Sequence, residues 1–136
     1  MAKMTERMQR LLNKVPQAVL ATSTQDGVPN AVPVGAKKII DEESILISDQ
    51  YLNKTLSNMK GNPRVSLMYW EGKEGYQLKG TVTIETSGKI FEETAKWIEQ
   101  RAKEMGMRRK SKGAVILKIE KIYGISSGPK AGRRLA

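Results

Sequence analysis

Apolar residues recur at Met4, Met8, Leu11 and Leu12 with polar residues between them. This i, i+4, i+7, i+8 spacing marks one helical face and predicts a helix over Met4 to Lys14, closed by Pro16. Gln17 to Thr24 has small and branched residues without a breaker and reads as a strand. Asp26-Gly27 is a hairpin signal, and the chain returns through Asn30 to Val34. Lys37 to Ile40 extends this return strand until Asp41-Glu42-Glu43 turns it back, and Ser44 to Ser48 is a short apolar strand. Leu52, Leu56 and Met59 then restore helical spacing, so a short helix is expected over Asn53 to Lys60, stopped by Gly61-Asn62-Pro63. Two strands follow, Arg64 to Trp70 and Tyr76 to Glu85, around a glycine-bracketed turn. A second helix, Phe91 to Met105, sets Phe91, Ala95, Ile98, Ala102 and Met105 on one face. A basic loop from Gly106 to Gly113, a last strand from Ala114 to Tyr123 and an irregular basic tail over about 125–136 complete the chain.

Consecutive strands joined by tight turns pair antiparallel, and no βαβ series occurs. The expected fold is mainly β (α+β): six antiparallel strands in a small closed or nearly closed barrel with peripheral helices. At 136 residues, with no visible linker or repeat, the chain is expected to form one domain, 1–136. It contains neither cysteine nor histidine, which excludes disulfides, thiol catalysis, Ser-His-Asp triads, zinc-finger spacings and a histidine-ligated haem. No apolar run approaches about 18 residues. The N-terminal stretch is also too polar for a signal peptide, so a soluble cytoplasmic protein without a membrane partner is expected.

Charge changes the picture more than hydrophobicity does. Lys and Arg number 24 against 14 Asp and Glu, a net charge of +10 that favours anionic partners. Aromatic residues make up only 5%, few for a surface that stacks bases. Asn53-Lys54-Thr55 opens the short helix, where free amides and the helix dipole favour an anion such as a phosphate; a plain polar cap is the alternative. Gln77 and Lys79 fall two apart on one strand and share a face, opposite Tyr76, Leu78 and Gly80. They line an outer surface or cleft, unless they are ordinary polar alternation. The basic runs Arg108-Arg109-Lys110 with Lys112, and Lys130 with Arg133-Arg134, read as a solvated loop and a loose tail, with nucleic-acid contact as the competing reading. Trp70 and Trp97 read as packing residues, and Glu92-Glu93 as helix-dipole partners rather than an acid–base pair.

Three stretches, VLATSTQDGVPNAVPV, ILISDQYLNKTLSNMKGNPRVSLMYW and GYQLKGTVTI, together resemble the FMN-binding split-barrel family, which includes the pyridoxamine-phosphate oxidases. The resemblance runs from about Leu11 to Tyr123. It implies a split barrel, a homodimer with FMN in clefts between the subunits, and oxidoreductase activity toward a small-molecule electron donor or acceptor. Lys54 and Thr55 match the family's phosphate-binding pair, beside Asn53. Pro33, Val34 and Gly35 match the strand along the flavin, and Ser48 and Asp49 the strand edge beside the ring. Gln77 and Lys79 match positions that approach the cofactor from the neighbouring strand, with Lys79 a candidate to stabilise charge on the reduced flavin. Because the flavin carries the redox chemistry, no catalytic side chain is assigned. At Val34 some relatives place a hydroxyl or an arginine, which shifts phosphate binding onto Lys54, Thr55 and backbone amides. The arginine- and histidine-bearing C-terminal segment of true pyridoxamine-phosphate oxidases is missing after Tyr123, which counts against vitamin-B6 oxidation. A deazaflavin-dependent reductase on the same fold is the first alternative, and a non-enzymatic nucleic-acid-binding module is the second.

Overall fold

Residues 1–136 are described by a computed structural model. The first helix, α1 (Glu6–Lys14), starts two residues later than the apolar spacing predicts, because Thr5 is its cap. The Thr5 side-chain oxygen accepts the Met8 amide at 3.2 Å. Met4 lies outside the helix yet is buried, as is Ala2. Their amides donate to Glu42 and Ile119 carbonyls at 2.7 and 3.1 Å, so the N-terminal segment is a docked strap rather than a helical turn.

After α1 come β1 (Ala18–Ser23), β2 (Pro29–Val34), β3 (Lys37–Asp41), β4 (Ser44–Asp49), α2 (Lys54–Gly61), β5 (Arg64–Glu71), β6 (Glu74–Glu85), α3 (Gly88–Glu104) and β7 (Gly113–Gly124). The strands form one seven-stranded antiparallel sheet in the order β2-β1-β5-β6-β7-β4-β3. The expectation of six strands is corrected here: the single return strand through Asn30 and Ile40 is two strands on opposite edges of the sheet. β2 pairs with β1 and β3 with β4, while Gly35-Ala36 alone connects the two edges. The sheet therefore curls until its edges meet at that link, without a hydrogen-bonded seam, and the barrel is split rather than closed.

The inner face carries the core. Register aligns Val32, Leu20, Leu67, Leu78 and Ile122 across five strands, and four of these five are fully buried. Ile45, Ile47, Val115, Leu117 and Ile119 continue the core through β4 and β7. α1 packs over this layer, and the buried Tyr69 hydroxyl donates to the Met8 carbonyl at 2.9 Å. Burial raises the Tyr69 phenol well above its ordinary range, so that hydrogen bond persists through the physiological pH range.

β6 and β7 are not in uniform register. Between Lys79 and Gly80 the pairing shifts, leaving Glu120 as the extra residue on β7. At Gly80 a Cβ would sit 1.8 Å from the Lys118 carbonyl oxygen, so only glycine permits this approach.

Two further expectations change. The spacing predicts Met105 on the apolar face of the second helix, but α3 ends at Glu104 and Met105 is exposed; Thr94, Ile98 and Ala102 are the buried positions. Trp70 was expected to pack, but it sits half exposed at the end of β5. The basic tail forms no helix or strand of its own but is bound to β7, with Leu135 donating to Ile122 at 2.7 Å and Gly124 to Arg133 at 2.9 Å. No helix is long and apolar enough to cross a membrane.

Candidate functional site

The ten candidate residues fall into three groups on one chain. The first is the start of α2. Thr55 is fully buried, and its oxygen accepts the Asn30 side-chain amide at 3.0 Å. The same Asn30 amide donates to Thr22 at 3.2 Å, and Asn58 donates to Thr22 at 3.1 Å. This network fastens α2 to the ends of β1 and β2 and fixes the Thr55 hydroxyl while leaving its proton free to donate.

Asn53 caps α2 with φ of 44°, the only residue other than glycine with a positive φ. Its side chain makes no capping bond. Such a conformation costs about 1–3 kcal/mol and collects at sites of ligand contact. The amides of Asn53, Lys54 and Leu56 have no acceptor in the chain, whereas the Thr55 amide is bound to Leu52. Lys54 is exposed and makes no ion pair. The start of α2 thus offers an ammonium and several free amides to an anion, with the Thr55 hydroxyl buried directly beneath them.

The second group lies where the sheet edges meet. Val34 points into the core and Pro33 to the outer face. The Ala36 carbonyl accepts the Ser48 amide at 3.0 Å, which brings β4 beside Gly35. Ser48 and Asp49 are buried and committed to structure: Ser48 donates to Ser111 at 2.7 Å, and Asp49 Oδ1 accepts the Leu52 amide at 3.0 Å. Asp49 therefore shapes the turn that delivers Asn53 and Lys54.

Sequence reasoning missed two cations here. Arg101 of α3 donates to the Gly35 carbonyl at 3.2 Å, and Lys37 Nζ donates to the Val15 carbonyl at 2.7 Å. Burial, and secondarily the charge of Arg101, lower the Lys37 pKa. Nothing in local spacing links Arg101 to Gly35, which is 66 residues away. Thr22, Asn30 and Asn58 were also missed; three inward polar residues next to an apolar strand are the available signal.

The third group, Gln77 and Lys79, is on the outer sheet face, as the alternation predicts, while Leu78 and Gly80 are buried. Register places Gln77 in a row with Pro33, Val19, Met68 and Tyr123, and Lys79 in a row with Ala31, Ala21, Ser66 and Lys121. Pro33 and Gln77 are three strand spacings apart, about 14 Å. Lys79 Nζ lies 5.5 Å from the Tyr123 ring centroid. One chain does not bring the third group to the first two, but these rows form a broad face with no covering helix, small and apolar across β2, β1 and β5 and polar at Gln77, Lys79 and Lys121.

Residues 4–126 match the family model described as pyridoxamine 5'-phosphate oxidase. The uncharacterised protein MJ0282 of Methanocaldococcus jannaschii is 39% identical over 98% of this chain and 89% of its own. HupZ of Group A Streptococcus has a crystal structure with a TM-score of 0.81 at 27% identity, covering 95% of this chain and 99% of that one. An FMN-binding protein from Syntrophomonas wolfei shares the fold at a TM-score of 0.74 and 18% identity, over 87% and 83% of the two chains. The same fold also carries HutZ, the heme storage protein of Vibrio cholerae (TM-score 0.67, 15% identity, 90% and 94% covered), and an F420 reductase (0.66, 15%, 88% and 98%). Fold likeness therefore does not choose among cofactors, but the family match spans nearly the whole sequence: this chain belongs to the pyridoxamine 5'-phosphate oxidase family.

Proposed function

We propose that this protein is an FMN-binding oxidoreductase that works as a homodimer, with the flavin held where two chains meet. The donor set at the start of α2 carries the reading. Lys54, the fixed Thr55 hydroxyl and the free amides suit a doubly charged phosphate better than a neutral ligand. Asn30 and Thr22 orient that set, and Asp49 fixes the turn leading into it. Val34 offers no polar group, so the phosphate depends on α2.

FMN would supply the redox chemistry. The chain's part is to anchor it, exclude water and supply charge. Pro33 and Gly35 would border the ring, and Gln77 and Lys79 would reach it from the outer sheet face. The geometry of that face supports a dimer, because a neighbouring chain seated on the Ala21 and Val19 rows would cover small residues and bring Gln77 and Lys79 to a shared cleft.

The deazaflavin alternative remains, because its tail is anionic and the protein carries +10; competition between the two cofactors separates them. Haem is less well served, since the sequence offers neither histidine nor cysteine as a ligand.

Ala21→Arg places a charge at the centre of the outer rows. Sedimentation equilibrium should show the variant at least about tenfold weaker in self-association, because an unpaired buried charge opposes docking. FMN retention should fall with it. A variant that is monomeric yet retains FMN as the parent does would place the flavin within one chain and contradict the interface reading.

A further inference from the structure

A trough beside α3 has no part in holding a phosphate at α2. Two clefts of about 1040 and 340 Å³ share Tyr51, Ala102, Met107 and Arg109, and so form one continuous depression. Its inner end reaches Gly35 and Ala36, with Ile98 and Met105 as apolar lining, Gln17 and Gln50 beside them, and Arg101 held on the Gly35 carbonyl. At the outer end Lys96, Lys103, Arg108, Arg109 and Lys110 face one carboxylate, Glu99.

None of these five cations is ion-paired; the chain's ion pairs use Lys3, Arg7, Arg10, Lys14 and Lys89 instead. Unpaired like charges gathered in a concave site raise the local concentration of anions. Tyr51 stands at the junction, 65% exposed, with Arg109 and Lys112 5.3 and 5.5 Å from its ring centroid. It offers an aromatic surface next to fixed positive charge.

A ligand that matches both ends has a planar, uncharged head and a tail of phosphates. We infer that the trough binds a phosphorylated pyridine dinucleotide as a second ligand, its ring toward Gly35 and its phosphates on the 108–110 loop. Gln17 and Gln50, both lining the inner end, carry the amide chemistry that pairs with the carboxamide of such a ring. Single-stranded RNA fits less well, because a run of aromatic residues along a groove is lacking and Tyr51 stands alone. The choice of a redox nucleotide rests on the flavin reading, whereas the anion site does not.

Calorimetric titration of the flavin-free and FMN-loaded full chain with NADPH, and with inorganic pyrophosphate in parallel, tests this. NADPH should bind at least about tenfold more tightly than pyrophosphate, and weaken about tenfold between about 0.05 and 0.3 M salt. The Arg108→Ala/Lys110→Ala double variant should lose about tenfold in NADPH affinity with FMN retention and unfolding midpoint unchanged. NADPH binding to a chain that fails to retain FMN would remove the flavin reading and leave the trough assignment standing. Equal binding of pyrophosphate, an unaffected double variant, or mutual exclusion of NADPH and FMN would each overturn the proposal. So would displacement of NADPH by a single-stranded RNA probe with a steeper salt dependence.

Discussion

Alanine at Gly80 should lower the urea midpoint of unfolding so far that much of the protein is unfolded or insoluble on expression. The added methyl would lie 1.8 Å from the Lys118 carbonyl oxygen and 3.2 Å from Ile119 Cα. These are backbone atoms in the middle of the β6–β7 ladder, so no side chain can rotate away. Relief requires the bulge at Glu120 to move and the ladder to re-register. Overpacking of this kind costs about 3 kcal/mol or more, against a total stability of about 5–15 kcal/mol. Gly61→Ala is the contrasting case. It ends α2, its Cβ would meet only the Gln25 side chain at 3.8 Å, and the substitution should leave the midpoint unchanged or slightly higher. If Gly80→Ala unfolds at the parental urea concentration, the close approach of β6 and β7 is wrong.

Lys54→Ala should weaken FMN binding by about ten- to a hundredfold, the loss of one charge-assisted hydrogen bond of about 1.5–3 kcal/mol. Lys54 is exposed and pairs with no carboxylate, so its removal should not disturb folding. The loss should be specific to the phosphate. Riboflavin, which lacks it, should bind the parent weakly and the variant equally weakly, so the preference for FMN shrinks in the variant. Fluorescence titration with both ligands reads this directly. An unchanged FMN affinity in Lys54→Ala would move the phosphate away from α2.

Most of the sheet was legible because its breakers are local. Asp26-Gly27 marks the β1–β2 hairpin, with Gly27 at φ of 93°, although the loop is five residues, Thr24 to Val28, rather than two, and Gly61-Asn62-Pro63 ends α2 as expected. The split between β2 and β3 was not recognised, although a signal was present. Val32 and Val34 face inward on even positions, while Lys37 and Ile39 pair with the inward Ile47 and Ile45 on odd ones. That change of phase across Gly35-Ala36 marks two strands, and a single continuous strand would have kept it even.

The start of α2 on which the proposed anion site rests stands out in the sequence as Asn53-Lys54-Thr55. Its support does not: Asn30 and Thr55 are 25 residues apart and Asn58 and Thr22 are 36 apart, meetings that only the folded sheet creates. The docking of Ala2 and Met4 was hidden for the same reason. The spacing does mark Met4 as apolar, but the strap that buries both residues depends on distant acceptors, Ile119 on β7 for Ala2 and Glu42 in the β3–β4 turn for Met4.

The central claim is that the α2 donor set and the outer sheet face together hold one FMN per chain in a dimer. The measurement that tests it most directly is the visible absorption spectrum of the protein after incubation with excess FMN and gel filtration, with the mass of the eluting species determined at the same time. A flavin band corresponding to about one FMN per chain, travelling with a dimer, is the expected result. A folded protein that elutes colourless, with all the added FMN in the small-molecule fraction, would contradict it.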